Sequence, residues 1–276
     1  MKLWAACLLA ACGDNLDGPL CSAPVLEAPW LDSLVTETVA KLSETPRSTP
    51  AERNAARTLL MTQLSSFGLE PQLHSYPTGA NVVATIPATL GDNPAIIVGA
   101  HFDTVANSPG ANDNASGVAV VLAVARYAQD APCRAAPVTI VLFDEEELGL
   151  LGSRAYSLTR DPNNVRAVHT IDQVAWDADR DRRFEIEQPT LGLEQEYREA
   201  ASALGLEIAV TSVGATDHQA FRETGFAAVG VTEEFATGDT SPHRHSSTDT
   251  AATVDVAYVG LAAQLVGHVV LREVTP

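Results

Sequence analysis

Strands alternating with helices predict an α/β fold, with a mostly parallel mixed central sheet flanked by helices on both faces. Two observations carry this. Residues 95–100 and 138–143 are almost unbroken apolar runs, as expected of strands buried on both faces. Between and after them, apolar residues recur at helical spacing, with turn-forming residues at the junctions. A chain of 276 residues with 46% apolar content is long enough for one sizeable core.

Each element has its own signal. Residues 31–42 carry a helical apolar period. A second helix fits 51–67, with Ser48 or Thr49 as cap, Pro50 in the first turn and Gly68 as stop. Short β-like runs follow at 71–76 and 81–86, before the buried strand 95–100. A helix at 115–128 leads to the second buried strand, 138–143. Then come a helix at 147–158, a strand at 167–174, a helix at 194–204, a short strand at 208–211, a helix at 217–224 and a buried strand at 227–231. A long apolar-faced helix, 252–271, closes the chain.

Charge narrows the partners. Acidic residues outnumber basic ones, 35 to 17, for a formal charge of -18. That argues against a phosphate-backbone partner, which needs a basic footprint. It also disfavours adsorption to anionic lipid. The N-terminus points to export. Met1-Lys2 is followed by a short apolar run to Ala11, far below the ~20 residues of a spanning helix. It ends in Leu9-Ala10-Ala11-Cys12, which resembles a bacterial lipoprotein signal with Cys12 as the lipidated residue. The expected organisation is a signal at 1–12, a linker at 13–27 and a single domain at 28–276, with a lipid anchor at Cys12 as the sole membrane contact. Cys21 and Cys133 remain for the exported fold, and whether they pair is open.

In a sheet of this kind ligands bind beyond the carboxyl ends of the strands, and the chemistry-bearing residues fall there. His101 follows a buried strand, with Asp103 two residues on. Gly110-Ala111-Asn112-Asp113-Asn114 forms a polar turn opening a helix. Asp144-Glu145-Glu146-Glu147 follows the next strand, and Asp172 lies late in the third. Pro242-His243-Arg244-His245 precedes Asp249 and the last helix. Five strand-end segments of one sheet thus bear carboxylate or imidazole.

These motifs, in this order over roughly residues 80 to 272, resemble the co-catalytic di-zinc exopeptidases typified by bacterial leucyl aminopeptidases. Glutamate carboxypeptidases and glutaminyl cyclases are relatives. The resemblance implies the zinc-dependent exopeptidase fold and two Zn2+ ions per chain. His101 and Asp172 would bind one ion, Glu147 and His245 the other, and Asp113 would bridge both. It implies Glu146 as general base and a supporting role for Asp103, accepting a hydrogen bond from His101. Asp249 is expected to do likewise near His245. Glu145 gets no role. Thr216-Asp217-His218-Gln219-Ala220-Phe221 matches a further family element. Asp217 reads as an N-cap in preference to a substrate contact, and His218 either lines the pocket or packs behind it.

The sequence departs from the family near the last ligand. No Tyr stands beside His245, so Arg244 or His243 would have to steady an oxyanion. The implied activity is peptide-bond hydrolysis at a free terminus. An aminopeptidase is preferred because the motif surroundings are acidic; a carboxypeptidase or dipeptidase is the alternative. Retention of His101 argues against a glutaminyl cyclase, and the intact ligand set against a non-catalytic surface lipoprotein. Zinc is not distinguished from cobalt or manganese by ligand identity. Terminal-residue preference and oligomeric state are not legible.

Overall fold

The computed structural model describes Cys21 and residues 26–276. The signal at 1–12, its Cys12 and most of the linker at 13–27 lie outside the described residues. Among the described residues, one mixed sheet of eight strands runs in the order β1-β2-β4-β3-β5-β8-β6-β7. The strands are β1 (Gln72–Ser75), β2 (Ala80–Ile86), β3 (Ala95–His101), β4 (Val138–Phe143), β5 (Val165–Ile171), β6 (Arg183–Glu187), β7 (Glu207–Thr211) and β8 (Ala228–Thr232). The centre, β4-β3-β5-β8, is parallel, as is β6-β7; the β1-β2, β2-β4 and β6-β8 pairs are antiparallel.

The larger core joins one sheet face to α1 (Leu31–Leu42), α2 (Pro50–Ser66), α3 (Gly117–Asp130), α5 (Leu191–Leu204) and α7 (Val256–Val274). Helix α3 is buried nearly all round, which explains its run of Val, Ala and Leu without a polar face. Each buried Val or Leu there contributes about 1.5–3 kcal/mol. The opposite face packs a smaller core, in which Phe143, Tyr156 and Phe221 meet under α4 (Leu151–Ser157) and α6 (His218–Glu223). Alternation along β3 divides the two: Ile96, Val98 and Ala100 face the larger core and Ile97 the smaller.

Thr49 caps α2 with Glu52 in a reciprocal capping box, and Pro50 opens the helix. Cys21 and Cys133 form a disulfide, Cα to Cα 5.3 Å. Three sequence expectations are corrected. The helix expected at 147–158 begins only at Leu151, because Glu145, Gly149 and Leu150 take positive φ and hold 144–150 as a turn. The strand expected at 167–174 ends at Ile171. Strand β6 was not expected at all, because Arg-Phe-Glu-Ile-Glu reads as a polar segment. In the fold, Phe184 and Ile186 enter the larger core while Glu185 and Glu187 are buried with them.

Candidate metal centre

The parallel strands β4, β3, β5 and β8 deliver their carboxyl ends to one edge, and the five expected ligand residues meet there. His101 ends β3. Asp172 follows β5, with Oδ1 3.3 Å from His101 Nε2. Asp113 lies in the turn Ala111–Ser116, after Gly110, and its peptide to Asn114 is cis. Its Oδ1 is 3.4 Å from His101 Nε2 and its Oδ2 3.1 Å from His245 Nε2. Glu147, in the turn after β4, places Oε1 3.1 Å from His245 Nε2. Asp113 therefore belongs to two clusters, His101-Asp113-Asp172 and Asp113-Glu147-His245, and gives a different oxygen to each. Glu146 reaches the same space, Oε2 4.0 Å from His101 Nε2. His243 turns away to Thr248 and the Trp176 ring.

Buried polar groups hold the loops that carry these side chains. The Arg47 guanidinium, in the α1–α2 connection, donates to the carbonyls of Leu42, Phe102, Pro109 and Gly110. It thereby joins the exit of β3 to the approach of Asp113. Gly110 has φ 65, and a Cβ there would lie 2.5 Å from the Asp113 carbonyl, so the position needs glycine. Asp103 stands 3.5 Å from His101 Nδ1 and accepts from the backbone N–H groups of Glu146 and Glu147. It ties the histidine to the carboxylate turn. Glu145 is buried against Arg53 and Thr78, and Asp144 against Arg53 and Arg57, anchoring that turn from below. Glu233 accepts from Asn112, Ala175, Trp176 and Ser241 and gathers three loops.

The electrostatics are those of crowded acids. Burial is the largest cause pushing the Glu146 carboxyl up to about 10 and that of Glu147 up to about 7; neighbouring carboxylates add to it and His101 opposes it. Arg244 lies at the rim, Nε 3.7 Å from Asp113 Oδ2. Divalent cations would relieve such crowding. One further detail fits a metal. Asp113 Oδ2 is buried beside the His245 nitrogen, yet no hydrogen bond from the described residues reaches it. Two donor atoms aimed at a common third point have this geometry. Imidazole nitrogen and carboxylate oxygen, without thiolate, suit zinc.

Other expectations are revised. Asp249 does not face His245; its oxygens accept from the N–H groups of Asn112 and Asp113 and fix the backbone of the shared carboxylate. Asp217 precedes α6 but makes no capping hydrogen bond, and its Oδ1 is buried without a partner. His218 is buried, with Nδ1 2.8 Å from Thr216 Oγ1. Arg47, Arg53, Glu145, Glu187 and Glu233 went unrecognised in the sequence. Their common signal is a charged residue inside an apolar or turn context, which demands a partner without naming it.

Residues 81–270 match the model of peptidase family M28. Aminopeptidase YwaD of Bacillus subtilis is 28% identical over 231 residues, covering 78% of this chain and 49% of that protein. The chain thus spans about half the length of this curated relative. Among solved structures, BSAP, a zinc aminopeptidase from Bacillus subtilis, superposes with a TM-score of 0.81 at 16% identity, covering 90% of this chain and 96% of that one. A glutaminyl cyclase of Porphyromonas gingivalis superposes with a TM-score of 0.73 at 20% identity, covering 91% and 99%. Both likenesses concern the fold.

Proposed function

The chain belongs to peptidase family M28, and from that membership we propose that it is a zinc-dependent aminopeptidase releasing residues from the free amino end of peptides. Two ions would be held by His101 with Asp172 and by Glu147 with His245, sharing Asp113. The observation that carries this reading is the division of the Asp113 oxygens between two imidazole-carboxylate pairs. Bound there, the ions would supply Lewis-acid polarisation and compensation of negative charge.

The rest falls to the chain itself. Glu146 lines the cavity beside these residues. Its carboxylate takes a proton from the attacking water and returns it to the departing amine, so a peptide and a water become a free amine and a carboxylate. Asp103 acts as a positioning residue, orienting His101 while holding the amides of Glu146 and Glu147. The cavity walls include Glu146, Asp172 and Glu187, with Arg244 as the cation. That balance favours a substrate ammonium over a carboxylate. The peptide needs only a free terminus.

Residues 28–276 are proposed to form a single catalytic domain. The segment up to Ala11 would direct export and Cys12 would carry the lipid that holds the enzyme in the cell envelope.

The test is turnover of leucine-p-nitroanilide against an N-blocked analogue by zinc-loaded protein, with metal analysis. Cleavage of the unblocked substrate alone, at two zinc ions per chain, is expected. Glu146→Gln should keep its zinc and lose turnover by ~10²-fold or more. Near-normal turnover in that variant would remove the base assignment; chelator-insensitive activity would remove the metal.

A further inference from the structure

We propose that Glu187 makes the cavity selective for substrates whose amino-terminal residue is lysine or arginine, an inference that rests on the aminopeptidase reading.

Glu187 ends β6 and lines the same cavity as Glu146, Glu147 and Asp172. Its side chain is almost wholly buried. Oε2 accepts from Thr216 Oγ1 and lies 3.4 Å from His218 Nδ1. No lysine or arginine pairs with Glu187 among the described residues, and His218 is not its counter-cation. His218 Nδ1 lies 2.8 Å from Thr216 Oγ1, and its Nε2 makes no hydrogen bond among the described residues. Burial pushes that imidazole down to about 4 and leaves it neutral. A buried carboxylate lacking a cation is costly unless a ligand supplies one.

Position decides which cation. Glu187 pairs in register with Gly230 of β8, which pairs in turn with Thr170 of β5. Two strand spacings, about 10 Å, therefore separate the Glu187 backbone from the strand that leads to Asp172, and its carboxylate leans over Gly230 of β8, about one spacing from that strand. A substrate's α-amino nitrogen stays within two bonds of the scissile carbonyl beside Glu146, whereas the end of a long side chain extends past it across β8. The neighbouring strand leaves room, since a Cβ on Gly230 would stand 2.6 Å from Glu187 Oε2. Val213, Ala215 and Phe235 supply an apolar wall for the aliphatic stem of a lysine or arginine, whose charged tip then meets the carboxylate.

The experiment compares kcat/KM for lysine-, arginine- and leucine-p-nitroanilide on zinc-loaded wild type, Glu187→Gln and Glu187→Asp. Wild type should prefer the basic substrates. Glu187→Gln should lower the lysine-to-leucine ratio tenfold or more, chiefly through KM, and Glu187→Asp should retain a basic preference. An unchanged ratio in Glu187→Gln overturns the proposal. So does an equal rise of KM for all substrates, which would place the α-amino group at Glu187. If no anilide is cleaved, the peptidase reading fails and calorimetry with L-lysinamide and L-leucinamide tests the pocket by itself. Tighter lysinamide binding that Glu187→Gln abolishes supports the proposal, and equal affinities overturn it.

Discussion

The carboxylate of Asp249 spends both oxygens on the backbone amides of Asn112 and Asp113. Its spacing from His245 suggested a partner for that imidazole, but the fold uses it from the opposite side, on the carboxylate the two clusters share. The N–H groups can be satisfied only by an acceptor. Asp249→Asn would set an amide NH2 against one of them and let the Asp113 backbone shift. Such supporting groups typically govern metal affinity by ~10–100-fold. The variant should therefore bind zinc at least about tenfold more weakly in competition with a chromogenic chelator. Wild-type affinity would show that the Asp113 backbone is held without it. Asp103 works in the same manner, since both of its oxygens meet backbone N–H groups of the Glu146–Glu147 turn.

Helices α5 and α7 meet β5 over another group of buried ionisable side chains. His169 of β5 joins Tyr197 of α5 and Glu273 of α7, at 3.0 Å each. Glu196 lies beside Glu273, and burial followed by that neighbour pushes its carboxyl up to about 7 from an ordinary 4.5. The folded chain therefore holds a proton on Glu196 that the unfolded chain has released. Stability from this source is complete below about pH 4.5, declines as pH rises towards about 7 and is flat beyond. Glu273 is lowered by His169 despite its burial, so its contribution is lost in the other direction, as pH falls below about 4.5. Thermal midpoints of Glu196→Gln should thus decline less than those of wild type between pH 4.5 and 7; parallel curves would refute the assignment. Elements were legible in the sequence in proportion to how far side-chain type alone decided them. Strands β3 and β4 and helix α3 are predominantly apolar, and each lies within two residues of its expected bounds. Strand β6 was hidden because Glu185 and Glu187 are buried, Glu185 through hydrogen bonds from Ala236 and Thr237 that lie far along the chain. The start of α4 was misplaced because the turn from Glu145 to Leu150 needs positive φ that no periodicity reports. Motif order picked out the five proposed ligand residues, which meet at one edge of the sheet, while their supports, such as Arg47, depend on contacts only the fold creates.

At the scale of the molecule, the centre joins segments distant in sequence, from His101 to His245. Anything that binds only the assembled centre stabilises the whole fold. Zinc at 100 times its Kd is worth ~2.7 kcal/mol, or roughly 5–10 °C in a domain of this size. Removing metal with a chelator should lower the thermal midpoint by about that amount, and restored zinc should recover it. A midpoint indifferent to chelation would contradict metal binding at this edge. The covalent link between Cys21 and Cys133 spans 112 residues and has a consequence of another kind. If Cys12 carries the proposed lipid, a nick just after Cys21 would sever the backbone and yet leave the body of the protein tied to that anchor. Release from such an anchor would then take two events, a proteolytic cut and a reduction, so the thiol balance of the surroundings would set whether an anchored form of this protein stays in place or departs.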